Sequence, residues 1–312
     1  MRLHLADASN DRGQHQALVE EGYTNHLTSY AYAGVAIRTF SKIWEDFLNI
    51  HLAGEGIYTI RAKQAEKFST VLVSHAYPKQ VLDHEPLWSN PDLRARVLID
   101  SGAFTAWSTG KVIRPQDYAK WALGIEAKWR PKLKSLEFMN LDVIGDQTAT
   151  WKNQETLEKL GLNPLPIVTY GVDLKHVDKA LACYPYFALG GLVPYSRQKA
   201  KLQAWLDACF ARVMTYRKKT GTLRKVHLLG ITSDWVLQRY PCYSSDSSSW
   251  VACLRFGNAP AAGIQQKLPR YHSSDAAVIA TVHALRAEVR KYKAMETDAT
   301  NLWKSRGITW DE

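Results

Sequence analysis

The stretch Leu98-Ile99-Asp100-Ser101-Gly102-Ala103-Phe104-Thr105 joins a short apolar run to a carboxylate and a turn of small residues. Short apolar, β-branched runs are typical of buried strands, and Ser and Gly are typical of the turns that follow them. We therefore predict a strand over Arg96–Ser101 that brings Asp100 to its carboxyl end. Functional groups concentrate at such strand ends, so Asp100 is a candidate catalytic acid.

Similar runs recur along the chain and alternate with amphipathic, helix-like segments. The predicted strands are Leu27–Tyr32, Thr70–Tyr77, Arg96–Ser101, Leu136–Val143, Leu165–Gly171, Phe187–Val193, Val226–Ile231 and Tyr243–Ser247. Arg2–Ala6 competes with the first of them for the position of the first strand. The predicted helices are Pro115–Trp129, Trp151–Leu160 and Lys199–Lys219.

Strand and helix in repeated succession predict an α/β protein with a parallel sheet. About eight such units predict a (β/α)8 TIM-like barrel, with a doubly wound sheet as the alternative. We expect one domain over residues 1–312, with a core at about 25–260. A C-terminal helix is predicted at about 274–294, with Ser273 or Ser274 as its N-cap. Its basic face, which includes Arg286, Arg290, Lys291 and Lys293, either contacts phosphate or is a solvated surface stripe.

The chain is basic and has the size of a folded enzyme. It has 312 residues, 46% of them hydrophobic, and a formal net charge of +10 with a pI of about 9.3. This charge favours a polyanionic partner such as nucleic acid, although an ordinary basic enzyme is also compatible with it. The four cysteines, Cys183, Cys209, Cys242 and Cys253, are far apart, which predicts neither a zinc knuckle nor a disulfide framework. We expect no membrane span, no secretion signal and a cytoplasmic location.

A second isolated carboxylate, Asp246, lies in the serine-rich segment Tyr243–Trp250. Two lone carboxylates at strand ends suggest that one acts as a nucleophile and the other as a general acid and base. A third, Asp142, ends an apolar run, where burial of a carboxylate is costly unless donors are supplied. The edge of a guanine base offers such donors, and a structural role in capping a loop is the alternative.

Other strand ends carry candidate binding groups. Gly190-Gly191 would let backbone N–H groups approach a ligand acceptor such as a purine O6, or would simply form a turn. Ser101, beside Asp100, and the aromatic Tyr170 are further candidate substrate-binding residues. His75 and His227 are interpreted as strand-end histidines with local hydrogen bonds, because no paired ligand spacing is present. No metal site is predicted.

The order of these motifs resembles the guanine transglycosylase superfamily, over about residues 70–260. That superfamily includes the queuine and archaeosine tRNA-guanine transglycosylases and the DNA-modifying relatives of phage and bacteria, the DpdA type. The matching segments are Asp100-Ser101-Gly102-Ala103-Phe104, the run ending in Asp142, Gly190-Gly191-Leu192, Leu229-Gly230 and the segment around Asp246.

The resemblance implies a pentosyltransferase on a (β/α)8 barrel that exchanges guanine for a 7-deazaguanine such as preQ0 or preQ1, without cutting the backbone. It implies that Asp246 is the nucleophile and Asp100 the general acid and base. By the same resemblance, Asp142 reads the guanine edge, while Gly190, Gly191 and Leu192 supply backbone donors to O6. A stacked target base would have to be flipped out or met in a single strand.

The chain departs from the zinc-containing tRNA enzymes of the superfamily, since Cys253 stands alone where they carry CxCxxC and a distal His. We therefore expect no zinc and no other cofactor, and favour DNA over tRNA as the substrate, in keeping with a phage origin and a host cytoplasm. The tRNA-specific enzyme remains an alternative. So do a non-catalytic nucleic-acid-binding barrel, and a hydrolase of nucleosides or sugars.

Overall fold

The computed structural model describes residues 49–53, 62–77, 94–251 and 275–310. Within these ranges the chain is a mixed α/β protein built on a sheet of eight strands. The strands are β1 Asn49–Ala53, β2 Thr70–Ser74, β3 Arg96–Asp100, β4 Ser135–Phe138, β5 Ile167–Thr169, β6 Tyr186–Gly190, β7 Lys225–Leu228 and β8 Ser244–Ser247.

The strands pair in parallel in the order β4-β3-β2-β1-β8-β7-β6-β5. Hydrogen bonds also connect the two edges of this sheet. The Leu165 N–H, just before β5, donates to the carbonyl of Phe138, the last residue of β4, at 2.7 Å. The Asn140 N–H donates in turn to the Leu165 carbonyl at 3.0 Å. The prediction of a parallel α/β sheet is therefore confirmed.

Alternate residues of the strands face opposite sides of the sheet. One side packs against helices in two large clusters, which contain Val97 and Ile99 of β3 and Phe187 and Leu189 of β6. The other side forms a smaller cluster of its own. That cluster comprises Leu72, Leu98, Met139, Leu165, Ile167 and Ala188. Since β2 and β3 are far from β5 and β6 in the strand order, this side of the sheet is concave.

Helices follow most of the strands. They are α1 Ala103–Ser108, α2 Pro115–Trp129, α3 Gln147–Lys159, α4 Lys175–Cys183, α5 Lys199–Thr220, α6 Asp234–Arg239 and α7 Asp275–Ser305. Pro115 begins α2, where its fixed φ and missing N–H are tolerated. Asp146 caps α3 by accepting from the Ala149 N–H at 2.9 Å, so this helix begins four residues before the predicted Trp151.

The predicted C-terminal helix is confirmed, and α7 extends to Ser305, beyond the predicted Ala294. Its basic face is engaged within the protein. The side chains of Arg286 and Arg290 both bind Glu66 Oε1, at 2.5 and 2.8 Å, and Lys293 Nζ donates to the Glu66 carbonyl at 3.2 Å. These three contacts fasten α7 to the segment before β2, and phosphate binding by this face stays a prediction.

Seven of the predicted strands correspond to β2–β8. Strands β2–β7 end earlier than predicted, and β8 ends at the predicted residue. The prediction of the first strand was wrong in that it left out the strand that the structure places beside β2 and β8. Asn49–Ala53, which we did not predict as a strand, lies between β2 and β8 in the sheet. Leu27–Tyr32 and Arg2–Ala6 lie outside the described residues, as do Ser273, Ser274 and Cys253. In the described part of the chain, no helix is long and apolar enough to cross a membrane.

Candidate active site

The predicted catalytic aspartates come from the concave side of the sheet. Asp100 is the last residue of β3, and Asp246 is the third residue of β8. Asp142 follows β4 by four residues. Carboxyl ends of parallel strands share one edge of a sheet, so three distant parts of the chain contribute carboxylates to one place. The pKa of Asp100 is influenced by the charge of Asp246, and that of Asp142 by the charge of Asp100.

Asp246 is buried, with 9% of its surface exposed, and two nitrogen atoms lie within hydrogen-bond distance of it. Its Oδ1 accepts from the Gly230 N–H at 2.7 Å and is 3.1 Å from Nε2 of His227. Gly230 has a φ of +73°, and a Cβ at this position would lie 2.4 Å from Cγ2 of Val193. Only glycine therefore fits the turn that points this N–H at the carboxylate. The arrangement orients Asp246 and stabilises its negative charge.

Asp100 is held by two donors on a single oxygen. The Ser74 hydroxyl and the Gly102 N–H donate to its Oδ2 at 2.8 and 3.0 Å. Burial nevertheless raises the pKa of Asp100, and the neighbouring charge of Asp246 raises it further. Asp100 is thus suited to hold a proton and release it.

Burial raises the pKa of Asp142 to about 7, with a further contribution from the charge of Asp100. A carboxyl group with this pKa gains or loses its proton near neutral pH, and it ionises readily when a ligand supplies donors. These properties fit the predicted reading of a guanine edge. A structural role for Asp142 in the loop stays the alternative, and the N-cap of the following helix is Asp146.

Ser101 and the glycine pair have structural explanations of their own. Ser101 is buried, and its carbonyl lies 3.3 Å from Nδ1 of His75. A Cβ on Gly190 would lie 2.8 Å from Cγ2 of Ile167, and one on Gly191 would lie 2.9 Å from Cγ2 of Thr169. Close packing of β5 against β6 therefore requires both glycines. Their N–H groups as ligand donors stay a prediction.

Leu192 and Tyr170 contribute to packing. Leu192 is fully buried in the largest hydrophobic cluster, so any contact with a base is left to its backbone. The ring of Tyr170 stacks on Tyr195 at 3.8 Å between centroids and lies 5.1 Å from Trp205. This stack fixes the loop that follows β5 against the start of α5. A role for Tyr170 in binding substrate stays a prediction as well.

Sequence reasoning missed several groups that contact the aspartates or interact with their charge. His227, interpreted as a strand-end residue with local bonds, lies within β7 and binds Asp246 directly. Ser74 was not singled out, and neither was Tyr118, a buried tyrosine from α2 that donates to the Met139 carbonyl at 2.8 Å. Burial raises the pKa of Tyr118 well above its ordinary value, and the charge of Asp100 adds to this. The period of two along β2 and β7 could have placed Ser74 and His227 on the same side as Leu72 and Leu229.

Exposed apolar side chains follow several strands at the edge of the sheet that carries the aspartates. In the described part of the chain, the large hydrophobic residues with the most exposed surface are Tyr77, Phe104, Trp107, Val112, Leu160 and Val193. All but Leu160 lie in the connections after β2, β3 and β6. Phe104 and Trp107, on one face of α1, have ring centroids 5.8 Å apart. These five residues, which we call the apolar rim, begin within a few residues of the site.

The described residues contain no group of three or more His, Cys, Asp or Glu side chains that could hold a metal ion. A separate surface cleft between α6 and α7, lined by Asp234, Lys291 and Asp298, does not include any of the predicted site residues.

No protein-family model matches the chain, and no curated protein matches it. Among solved structures, the chain is similar to a proposed fructose-1,6-biphosphate aldolase from Coccidioides immitis, at 10% sequence identity and a TM-score of 0.34. The similarity covers 81% of this chain and 93% of the other. A TM-score at this level is too low to support a conclusion about fold or function.

Proposed function

We propose that this protein is a DNA-guanine transglycosylase that exchanges guanine in DNA for a 7-deazaguanine such as preQ0 or preQ1. The observation that carries the proposal is the contrast between two interacting carboxylates. Asp246 accepts from the Gly230 N–H and lies 3.1 Å from His227 Nε2, whereas burial raises the pKa of Asp100 and the charge of Asp246 raises it further. A double displacement at a glycosidic carbon requires an oriented nucleophilic carboxylate beside a second carboxyl group that can hold a proton.

We infer also that the sheet closes into a (β/α)8 barrel. The bonds between Phe138, Asn140 and Leu165 join its two edges, and the concave side carries a cluster shared by strands from both halves. In such a barrel the carboxyl ends of the strands form the mouth in which substrates bind. Asp100, Asp142 and Asp246 would all project into that mouth.

In the first displacement, Asp246 attacks the anomeric carbon of the target deoxyguanosine. The glycosidic bond breaks, and the proton held by Asp100 passes to the leaving guanine. Asp246 is then joined covalently to the sugar, and the DNA backbone remains intact. In the second displacement, Asp100 takes a proton from the incoming 7-deazaguanine, whose ring nitrogen attacks the same carbon and releases Asp246. Two inversions retain the configuration of the sugar.

Asp142 would recognise both bases by accepting hydrogen bonds from the N1–H and the exocyclic amine of the guanine ring. Its pKa of about 7 makes ionisation on base binding inexpensive. The backbone at Gly190, Gly191 and Leu192 would donate to O6. The net charge of +10 would attract the polyanionic substrate, and the target base would be flipped out of its stack or met in single-stranded DNA.

The test is exchange of radiolabelled guanine into duplex DNA, single-stranded DNA and tRNA in parallel. The wild-type protein is compared with Asp246→Ala and with Asp298→Ala, which removes an exposed carboxylate on α7. We expect label in DNA with the wild type and with Asp298→Ala, and none with Asp246→Ala. Label in tRNA alone would make the protein a tRNA enzyme, and release of free base without incorporation would make it a hydrolase. Retained exchange in Asp246→Ala would overturn the mechanism.

A further inference from the structure

A chain of hydrogen bonds leads from the nucleophilic carboxylate into the interior of the sheet. His227 Nε2 lies 3.1 Å from Asp246 Oδ1, and its Nδ1 lies 2.6 Å from the Ser244 hydroxyl. The Ser244 hydroxyl lies 2.5 Å from that of Tyr186. His227 and Ser244 have no exposed surface, so solvent does not compete for these bonds. We call the three residues His227, Ser244 and Tyr186 the relay.

The strand register explains why these residues meet. His227 pairs with Ser244 across β7 and β8, and with Ala188 across β7 and β6. Asp246 and Tyr186 are each two residues from one of those partners, so both face the same side of the sheet. The relay is therefore built from three neighbouring strands, whose relative positions the ladder hydrogen bonds fix.

The donors and acceptors of the relay can be arranged in one direction. A charged Asp246 only accepts, so Nε2 of His227 must carry a hydrogen. In a neutral imidazole Nδ1 then accepts, and its partner is the Ser244 hydroxyl. The Ser244 oxygen accepts in turn from Tyr186. Burial raises the pKa of Tyr186 well above its ordinary value, so the phenol retains the proton that it donates.

We propose that His227 is a positioning residue for Asp246, held by Ser244 and Tyr186 as the neutral tautomer with its hydrogen on Nε2. The proposal builds on the transglycosylase mechanism, because it assigns the group that aims its nucleophile. A rotated imidazole or the other tautomer would place a lone pair against the carboxylate. The relay prevents this by engaging Nδ1 through the Ser244 hydroxyl.

The tautomer is measured first, because this measurement needs no substrate. Nitrogen-15 NMR of the imidazoles, with His227 assigned by its loss in His227→Gln, is expected to show a neutral ring protonated at Nε2 at pH 7. Ser244→Ala is expected to produce a mixture of tautomers, and Tyr186→Phe a smaller change. A wild-type ring protonated at Nδ1, or doubly protonated, would overturn the proposal.

The rate of formation of the covalent adduct is measured next. Loss of a hydrogen bond to a charged group predicts a decrease of about 10- to 100-fold in His227→Leu, with little change in KM. His227→Gln, whose amide nitrogen can reach the position of Nε2, is expected to recover part of the loss. His283→Leu, on the exposed face of α7, is the control. An unchanged rate in His227→Leu, or equal losses in the Leu and Gln variants, would show that His227 does not position Asp246.

The two readouts separate this inference from the proposed function. If the wild-type protein exchanges no guanine, the transglycosylase assignment fails, while the NMR measurement still decides whether the relay holds its tautomer against Asp246. If guanine is exchanged but His227 is protonated at Nδ1, the transglycosylase proposal is supported and the positioning role of His227 is rejected.

Discussion

Burial and, after it, the negative charge of Asp246 raise the pKa of Asp100, although β2 and β1 separate the strands of these two aspartates in the sheet. The interaction therefore crosses the concave side of the sheet. It couples the two carboxyl groups so that ionisation of one opposes ionisation of the other. Groups coupled in this way divide the work of a displacement, one as the charged nucleophile and the other as the protonated acid.

Asp246→Asn is expected to lower the pKa of Asp100, because the substitution removes a charge that raises it. Selective carbon-13 labelling of aspartate carboxyl groups, with pH titration by NMR, measures this directly. Asp298→Asn serves as the control for a general change in net charge. An unchanged titration of Asp100 in Asp246→Asn would mean that the two groups do not interact.

Asp100→Asn is expected to slow base exchange by about 10²- to 10⁴-fold, the usual contribution of a general acid. The asparagine can still accept from Ser74 and Gly102, so the fold around the site is preserved. Single-turnover kinetics with labelled DNA, combined with thermal unfolding, separate the two effects. A slow variant with an unchanged melting temperature supports the acid role, and a fast variant refutes it.

Binding of guanine is expected to tighten as the pH rises through about 7. The base donates to Asp142, so it binds the ionised carboxylate, and the pKa of Asp142 is about 7 in the free protein. Below that pH the bound base must displace a proton, and the affinity decreases. Calorimetric titration at pH 6 and pH 8, in buffers with different ionisation enthalpies, measures the affinity and the proton release. An affinity of the wild type that does not depend on pH would contradict the role assigned to Asp142.

The same carboxyl group is expected to reduce stability at higher pH. The ordinary pKa of this side chain is 3.8, so between about pH 4 and pH 7 the folded protein retains a proton that the unfolded chain has released. Stability is therefore lost as the pH rises through that window. One pKa unit corresponds to about 1.36 kcal/mol, which gives an upper bound of about 4 kcal/mol for the gain in Asp142→Asn at pH 8. Urea unfolding should show a smaller gain at pH 5, and equal gains would disprove the linkage.

Gly230→Ala tests the turn that orients Asp246. A Cβ here would lie 2.4 Å from Cγ2 of Val193, in a residue with a φ of +73°, so the turn or the Val193 side chain must shift. We expect a loss of about 1–3 kcal/mol of stability and a large loss of adduct formation. Gly221→Ala is the matched control, since Gly221 has a φ of +76° and a Cβ added there would meet no atom within 4 Å. The control should lose stability without loss of adduct formation, and Val193→Ala should partly rescue Gly230→Ala.

Patterns in the sequence were sufficient to predict helices and strands that have one buried face. The bounds of α2 were predicted to the residue because Pro115 marks its start and the apolar spacing marks its length. Asp100 and Asp246 were visible because each is an isolated charge at the end of a strand pattern. Asn49–Ala53 was missed because a single His-containing run of five residues carries little periodic signal.

The partners of the aspartates could not be predicted, because strand register decides them. His227 reaches Asp246 only when β7 and β8 pair so that His227 lies beside Ser244. Glu66 and Arg286 are far apart in the sequence, and nothing local indicates that they meet. Contacts of this kind depend on how the whole sheet is assembled, which no short window of sequence contains.

The apolar rim is expected to bind nucleotides that flank the target base. Trp107 has 60% of its surface exposed and lies beside Phe104 on α1, the helix that begins three residues after Asp100. Stacking of a base on an aromatic ring contributes about 1–3 kcal/mol, so Trp107→Ala should weaken binding of single-stranded DNA by about 5- to 150-fold. Leu160→Ala, an exposed apolar residue outside the rim, is the control. Fluorescence anisotropy at fixed salt measures both variants, and equal affinities would show that the rim does not contact DNA. Because no residue of the apolar rim takes part in bond breaking or proton transfer, the Trp107 variant should still form the covalent adduct at saturating DNA.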